Sequence, residues 1–399
     1  MLKQPLRLQA GGETREGFDH IDMSQLPNRR WRIAHTEFSL GWGGQERRIM
    51  AELDGFKRRG SEVWLIAPAD SKIHQRAQIA GFGTRLLAPS KIKFPLEVLS
   101  LAFWLRRHRI EILNPHSSRD SWIAGLAGRL ARVPLIIRTR HFDVPIRHPW
   151  MSRQVYCRLA DHVITTSPRI TATLRDLFGL SEDRVSTIST GIDLERFHPT
   201  GPKATLHLPP MPVGTPLIGM IGIFRNAKGH AVLLDAAARL QTSGFKAHYL
   251  LVGEGPMVEA TRQKVRDLKL ESCVTFTDER EDVPEILRSL NLLVMPSLHE
   301  GIPQVGLQAL ACGTPMVASD VGGLPSIVRP GKTGRLVPPN SPEALAVAIR
   351  QVFDEPLITR SLAEQGRQLT ERKHSLEQML DRLQTLYERH LPATRTIPS

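Results

Sequence analysis

From Arg29 to Leu130 short apolar runs alternate with longer stretches patterned for helices, and after a proline-rich patch, GPKATLHLPPMPVGTP (201–216), the same alternation starts again. A strand–helix–strand order returns the chain in the same direction each time, so it builds parallel sheets covered by helices on both faces. In the first half the strand candidates are WRIAHTEFSL (31–40), VWLIAP (63–68), EILNPH (111–116), PLIIRTRH (134–141) and DHVITTS (161–167). Helical stretches fill the gaps at 41–60, 91–110, 117–133 and 168–180. In the second half PLIGMIGIF, AHYLLVG, CVTFTD, LLVM and MVA are the strands, separated by helical stretches beginning at Gly229, Met257, Val283 and Gln304. The fold class this predicts is α/β, with two tandem doubly wound Rossmann-like domains facing across a cleft formed at the carboxyl ends of their strands.

The expected boundaries are a polar amino-terminal extension over 1–28, a first domain over 29–200 and a second over 201–375. A last amphipathic helix and tail occupy 376–399, with Leu376, Met379, Leu380, Leu383, Leu386 and Tyr387 on one face. Ser341-Pro342-Glu343 is a helix start, with an N-cap, a proline at the first helical position and an acid in the first turn. At 399 residues, 41% hydrophobic and 23% charged, the chain can bury two cores. It has no apolar run of membrane-spanning length and no secretory leader, and a cytoplasmic location is the expectation. Cys157, Cys273 and Cys312 are scattered, as small core residues of a reducing compartment. The net charge of +13 favours anionic partners: phosphorylated substrates, anionic lipid or nucleic acid. No nucleic-acid-binding motif accompanies it, and nucleic acid is not an expected partner.

Residues able to do chemistry gather at the predicted strand ends. Gly43 and Gly44 lie in SLGWGGQE between the first strand and first helix, where the absence of side chains lets a ligand approach the backbone. Glu46 stands where a dinucleotide fingerprint needs its third glycine, which disfavours that class. His116 ends one strand and His141 the next, with Arg138, Arg140 and Arg147 close by in sequence as candidates for an anionic acceptor. Arg225 and Lys228 follow the first strand of the second domain; two cations there can stabilise a departing diphosphate. Gly253 and Gly255 form a turn after the next strand. Glu300-Gly301-Ile302-Pro303-Gln304 then joins a strand to a helix, which aims backbone N–H groups at an anion and sets a carboxylate to accept from sugar hydroxyls. No Asp-x-Asp occurs, so a metal-clamped diphosphate is not expected, nor any other cofactor.

The run from Val294 to Gly323, VMPSLHEGIPQVGLQALACGTPMVASDVGG, resembles the donor-site segment of retaining GT-B glycosyltransferases, in particular glycosyltransferase family 4 (group 1). The resemblance covers roughly residues 31–390. It implies the GT-B arrangement, a carboxyl-terminal helix that crosses back to the first domain, and a nucleoside-diphosphate sugar as donor. It places Glu300 near the transferred sugar, and Gln308 where the family often carries a second glutamate on the ribose; Gln keeps an acceptor and loses the charge. GWGGQE matches the family's G-G-x-E loop beside the donor phosphates. His116 and His141 match histidines near the sugar and acceptor, although Asn114 replaces the first residue of the family's H-x-H. Ile223 stands where many members have arginine, so Arg225 serves in a variant R-x-x-K-G spacing with Lys228 as the principal cation. Gly253 and Gly255 lie near the nucleotide in the family, and Asp278 and Glu279 near the base. The acceptor implied is a glycan or lipid-linked glycan of surface polysaccharide or lipopolysaccharide assembly.

Two other functions stay open at this stage: a sugar-nucleotide epimerase or hydrolase of the same fold, and a non-catalytic polyanion-binding relative. The 91–110 helix has a further possible use, resting on an anionic membrane through Phe103 and Trp104.

Overall fold

The computed structural model describes residues 29–87, 94–142, 144–146 and 148–391. Arg147 and the expected terminal extensions 1–28 and 392–399 lie outside the described residues. The first sheet contains β1 (Arg32–Thr36), β2 (Glu62–Ala67), β3 (Gly83–Leu86), β4 (Ile112–Pro115), β5 (Leu135–Arg140), β6 (His162–Thr165) and β7 (Val185–Thr187), in the order β3-β2-β1-β4-β5-β6-β7. The second contains β8 (Leu217–Ile221), β9 (His248–Val252), β10 (Val274–Thr277), β11 (Leu292–Met295), β12 (Met316–Ser319) and β13 (Arg335–Val337), in the order β10-β9-β8-β11-β12-β13. Strand pairing is parallel in both. Each sheet reverses its winding once, between β1 and β4 and between β8 and β11. Reversal leaves a crevice outside the carboxyl ends of those strands, which is where this architecture binds ligands.

β3 and β7 were not foreseen, and neither were the helices Lys72–Ile79, Pro149–Gln154 and Pro356–Lys373. The two strands are short edge pieces, GTRL and VST, whose residues are mostly only partly buried, so they lack the apolar pattern of the central strands. The chain leaves the first sheet after Thr187, and by Phe197 it packs into the second domain's core; Leu206 and Leu208 of the proline-rich patch lie against that same core.

The helix Leu376–His390 crosses back as expected. Its six apolar residues join Trp31, Ile33, Phe56 and Leu65 in the core of the first domain. Ser375 starts it by accepting from the backbone N–H of Gln378, at 3.2 Å. The contact with the first helix, Gly44–Arg58, depends on Gly55: a β-carbon there would lie 2.3 Å from Leu380 Cδ1. On the far side of the first sheet, the helix Phe94–Arg107 leaves Leu96, Leu99 and Phe103 exposed. Trp104 turns inward, edge-on to Trp64 with ring centroids 6.1 Å apart and stacked on His108, so of the two residues named for a membrane contact only Phe103 faces outward.

Candidate active site

The loops that follow β8 and β11 meet across the second sheet's crevice. Gly229, with φ +78°, has its α-carbon so close to the neighbouring loop that a β-carbon would lie 2.0 Å from the Pro296 carbonyl oxygen. The Leu298 N–H donates to the Ala227 carbonyl at 2.8 Å and ties the two loops together. This brings Lys228 onto Glu300: the ammonium lies 2.9 Å and 2.7 Å from the two carboxylate oxygens, and the Ser297 hydroxyl donates to one of them at 3.0 Å. The Glu300 carboxylate is mostly buried, which strengthens the pair. The sequence places these groups separately; the fold joins them as one charge-neutral unit. Arg225 stays outside it, exposed on the N-terminal side of the short turn Asn226–Lys228.

Gly253 and Gly255 serve backbone packing. Both have positive φ, and β-carbons there would strike the carbonyls of Gly222 and Phe224 at 2.2 Å and 2.6 Å, in the loop that carries Lys228. Pro303 caps the helix Gln304–Ala311, whose first turn faces the glycine loop of the other domain. A β-carbon on Gly44 would stand 3.9 Å from Gln304 Cγ, and one on Gly43 3.8 Å from Ile223 Cδ1. The Gln304 side-chain amide oxygen, Oε1, in that gap is buried without a partner among the described residues. Glu46 holds the glycine loop by accepting from the Gly43 N–H at 2.8 Å. Gly301 reaches the end of β5, where a β-carbon would sit 3.4 Å from the His141 carbonyl oxygen. Ile302 and Gln308 are partly buried in the same loop and helix. Gly43, Gly44, Gly301 and Gln304 are thus gathered at the cleft, while Gln308 lies one helical turn beyond Gln304.

Facing them, at the first sheet's reversal, stands a row of imidazoles. His35 Nδ1 is 2.7 Å from His116 Nε2, and His116 Nδ1 is 2.8 Å from His141 Nε2. All three rings are buried, and His35 and His116 stack with centroids 5.0 Å apart. Burial holds all three below the ordinary histidine range, His35 at about 4, and the neighbouring Arg48 lowers each further. At neutral pH the row is therefore uncharged, able to donate at one end and accept at the other.

The inner half of this arrangement leaves little trace in the sequence. His35 lies in an apolar strand, in register with Asn114, and a polar residue in so apolar a run was the available signal. Arg48 and Glu52 look like a surface pair on an amphipathic helix, yet both are fully buried, with Arg48 Nε 2.7 Å from Glu52 Oε1. Arg48 also donates to the Ile188 carbonyl at 2.8 Å, where the chain leaves the first sheet. Asp120 braces the crevice by accepting from the Thr36 hydroxyl at 2.6 Å and the His116 N–H at 3.0 Å. Glu37 accepts from the N–H groups of Phe38 and Ser39, and burial beside Asp120 raises its pKa to about 7.

His35, Glu52 and His116 offer ligand atoms within 4.8 Å of one another, a metal-competent cluster among the described residues. The guanidinium already bound to Glu52 puts a fixed positive charge against that position, and the donor set does not suit a cation. Of the expected acceptor groups, Arg140 donates to the Tyr156 hydroxyl at 3.0 Å and to the Val144 carbonyl. Glu279, expected near the base, pairs with Arg47 at 3.4 Å and Lys72 at 3.0 Å across the domain boundary.

A family model described as Glycosyltransferase Family 4 matches residues 42–196, and one described as Glycosyl transferases group 1 matches residues 215–355. Alpha-maltose-1-phosphate synthase of Mycolicibacterium smegmatis is 31% identical over 284 residues, 62% of this chain and 72% of the relative. The chain belongs to the family 4, group 1, glycosyltransferases. The chain spans a smaller share, 57%, of another relative, the Bacillus subtilis protein described as putative glycosyltransferase EpsF, which is 30% identical over 218 residues, 52% of this chain. Among solved structures, a Rickettsia africae glycosyltransferase superposes with a TM-score of 0.79 at 18% identity, covering 92% of this chain and all of that one. The Anabaena protein HepE, solved in complex with UDP-glucose, superposes with a TM-score of 0.74 at 19% identity over 90% of this chain and 99% of its own. These structures share the GT-B fold with this family 4 chain, as the strand pattern and the resemblance led one to expect.

Proposed function

We propose that this protein transfers a hexose-like sugar, with retention, from a nucleoside-diphosphate donor to a glycan or lipid-linked acceptor of cell-surface polysaccharide or lipopolysaccharide assembly. The observation that carries the reading is the Lys228–Glu300 pair at the second sheet's crevice, set across the cleft from the His35–His116–His141 row. The bond between the anomeric carbon and the diphosphate oxygen breaks, and its electron pair leaves with the diphosphate. Lys228 swings from Glu300 to the departing phosphate, with Arg225 supplementing it from the solvent side and the amides of Gly43, Gly44 and the Gly301–Gln304 turn adding donors. Glu300, released, accepts from sugar hydroxyls. The acceptor hydroxyl attacks from the face the diphosphate leaves and passes its proton to the departing phosphate oxygen, with His116 and His141 as polar contacts. Arg140 belongs to the acceptor side, and Gln308 to the ribose. Lysine and backbone amides carry the phosphate charge in this scheme, so transfer needs no metal and persists in excess EDTA.

The family assignment and the UDP-glucose complex of HepE support the donor class. The test is a thermal-shift panel of UDP-, GDP- and ADP-sugars on the wild type and Lys228→Ala. One donor is expected to raise the melting temperature of the wild type and to lose that effect in the variant. No response to any donor overturns the reading, and rapid donor turnover without acceptor replaces it with a hydrolase or epimerase.

A further inference from the structure

A second pocket, of about 690 Å³, opens beside the end of β5, between the start of the helix Ser118–Ala131 and the helix Pro149–Gln154 with its π-helical continuation Val155–Leu159. That volume falls in the range of small-molecule sites. Arg138 and Arg140, on one face of β5, line it, and no acidic side chain stands among its described lining residues. Arg138 is 4% exposed. Among the described residues its guanidinium donates to the carbonyls of Pro115 and Thr139 and lies 5.8 Å from the centre of the Tyr156 ring, and its Nε–H is buried with no hydrogen-bond partner. The neighbouring Asp120 carboxylate attracts Arg138 electrostatically but spends its hydrogen bonds on Thr36, Ser117 and the His116 N–H. A buried guanidinium whose described hydrogen bonds go to carbonyls, with a carboxylate near it but not bonded to it, has donor capacity left that an anion in the pocket would complete. Trp122, Met151 and Tyr156 make the rest of the wall largely apolar, and Phe142, Val144 and Trp150 stand exposed along the adjoining segment.

We propose that this pocket binds the phosphate of an amphipathic acceptor, with Arg138 and Arg140 on the phosphate oxygens and the apolar chain against Trp122 and Met151, leaving over Val144 and Trp150. Paired guanidinium groups suit a phosphate's several oxygens, and a sugar phosphate without an apolar chain leaves the rest of the wall unmatched. The proposal rests on the glycosyltransfer reading for the word acceptor: His141 follows Arg140 directly, so a ligand held here is anchored next to the imidazole row. It names the acceptor's chemical class, which the donor-side residues leave unspecified.

The test is calorimetric titration of the full chain with n-octyl phosphate below its micellar concentration, beside octyl glucoside and inorganic phosphate. Octyl phosphate is expected to bind at least about tenfold more tightly than either control, and Arg140→Gln to weaken it by about tenfold or more. Arg138→Lys is expected to weaken it too; if that buried substitution prevents folding, the half-exposed Arg140 carries the test. Equal binding by wild type and Arg140→Gln overturns the proposal, and equally tight inorganic phosphate overturns its apolar half in favour of a water-soluble phosphorylated acceptor. Phosphatidylcholine vesicles doped with phosphatidic acid form a separate arm, and binding there that Arg140→Gln leaves unchanged, without octyl phosphate binding, assigns the effect to surface adsorption and overturns the pocket. The donor panel is run on the same samples. Donor response without octyl phosphate binding ends this proposal alone; octyl phosphate binding without any donor response ends the glycosyltransfer reading and keeps the pocket.

Discussion

Glu300 and Lys228 hold each other in the structure, and in the proposed reaction they part when a phosphate arrives, so each substitution has its own outcome. Glu300→Gln keeps an oxygen for a sugar hydroxyl and frees the ammonium, which then binds diphosphate without having to leave a carboxylate. Its expected result is unchanged or tighter nucleoside-diphosphate binding with turnover lowered about a hundredfold or more, read by calorimetry and steady-state transfer. Weaker binding together with normal turnover contradicts the exchange of partners. Acid sensitivity also belongs to single residues. His35 titrates near 4 in the fold against 6.5 when free, so between those values the denatured chain takes a proton that the native row refuses. Stability is then complete above pH 6.5 and falls as pH falls toward 4, by about 1.4 kcal/mol per pH unit for each proton involved. His116 and His141 act in the same direction. Glu37, raised to about 7 from 4.5, acts oppositely, since its native form holds a proton the denatured chain lacks, and the adjoining Asp120 is raised as well; the pair offsets only part of an effect to which three imidazoles contribute. Denaturant melts at pH 7 and pH 5 are expected to give clearly lower stability at pH 5, and equal values contradict a neutral row. The outer members of this site were legible because Glu300, Lys228, His116 and His141 end predicted strands. Arg48 and Glu52 were not, because a buried ion pair and a solvated i, i+4 pair leave the same trace in a helix.

The elements were largely readable, since alternation fixes a central parallel strand twice over: through its apolar run and through the helix that must follow it. Edge strands lose the first signal, which is why β3 and β7 went unseen. The carboxyl-terminal helix shows how much further packing goes than pattern. Its apolar face was evident from Leu376 to Tyr387, but the surface receiving it depends on one missing side chain. Gly55→Ala normally favours a helix by about 1 kcal/mol. Here the new methyl meets Leu380 at 2.3 Å, and the net result is expected to be destabilisation of about 1–3 kcal/mol, read as a lower melting temperature. Combining it with Leu380→Ala tests the cause. The double variant is expected to lose less than the sum of the two single changes, because the smaller side chain leaves room for the methyl. Additive losses contradict direct contact.

At the scale of the whole molecule the question is what sets the approach of the two domains, and here sequence could not help, because ion pairs between distant segments have no local pattern. Four of them cross the cleft edge: Arg47 and Lys72 on Glu279, Lys72 on Glu254 at 3.6 Å, and Arg76 on Glu281 at 2.6 Å. Glu279, expected to border the base, takes part in two of these pairs, and together they can act as a latch. Exposed pairs contribute little individually and weaken as salt rises, so a latch built from them closes the cleft without locking it. The separation matters to the proposed reaction because Gly301 and His141 belong to different domains and lie against each other in this arrangement. Glu279→Lys places like charges against Arg47 and Lys72 and favours the open form. Small-angle scattering is expected to give a larger radius of gyration for this variant at low salt, with the difference shrinking as salt screens the repulsion. The same variant is expected to raise KM for the donor more than it lowers kcat, because the opening must be reversed by binding before any bond changes. A radius of gyration equal to that of the wild type at low salt means that the covalent linker and the returning carboxyl-terminal helix, rather than these charges, fix the separation of the domains.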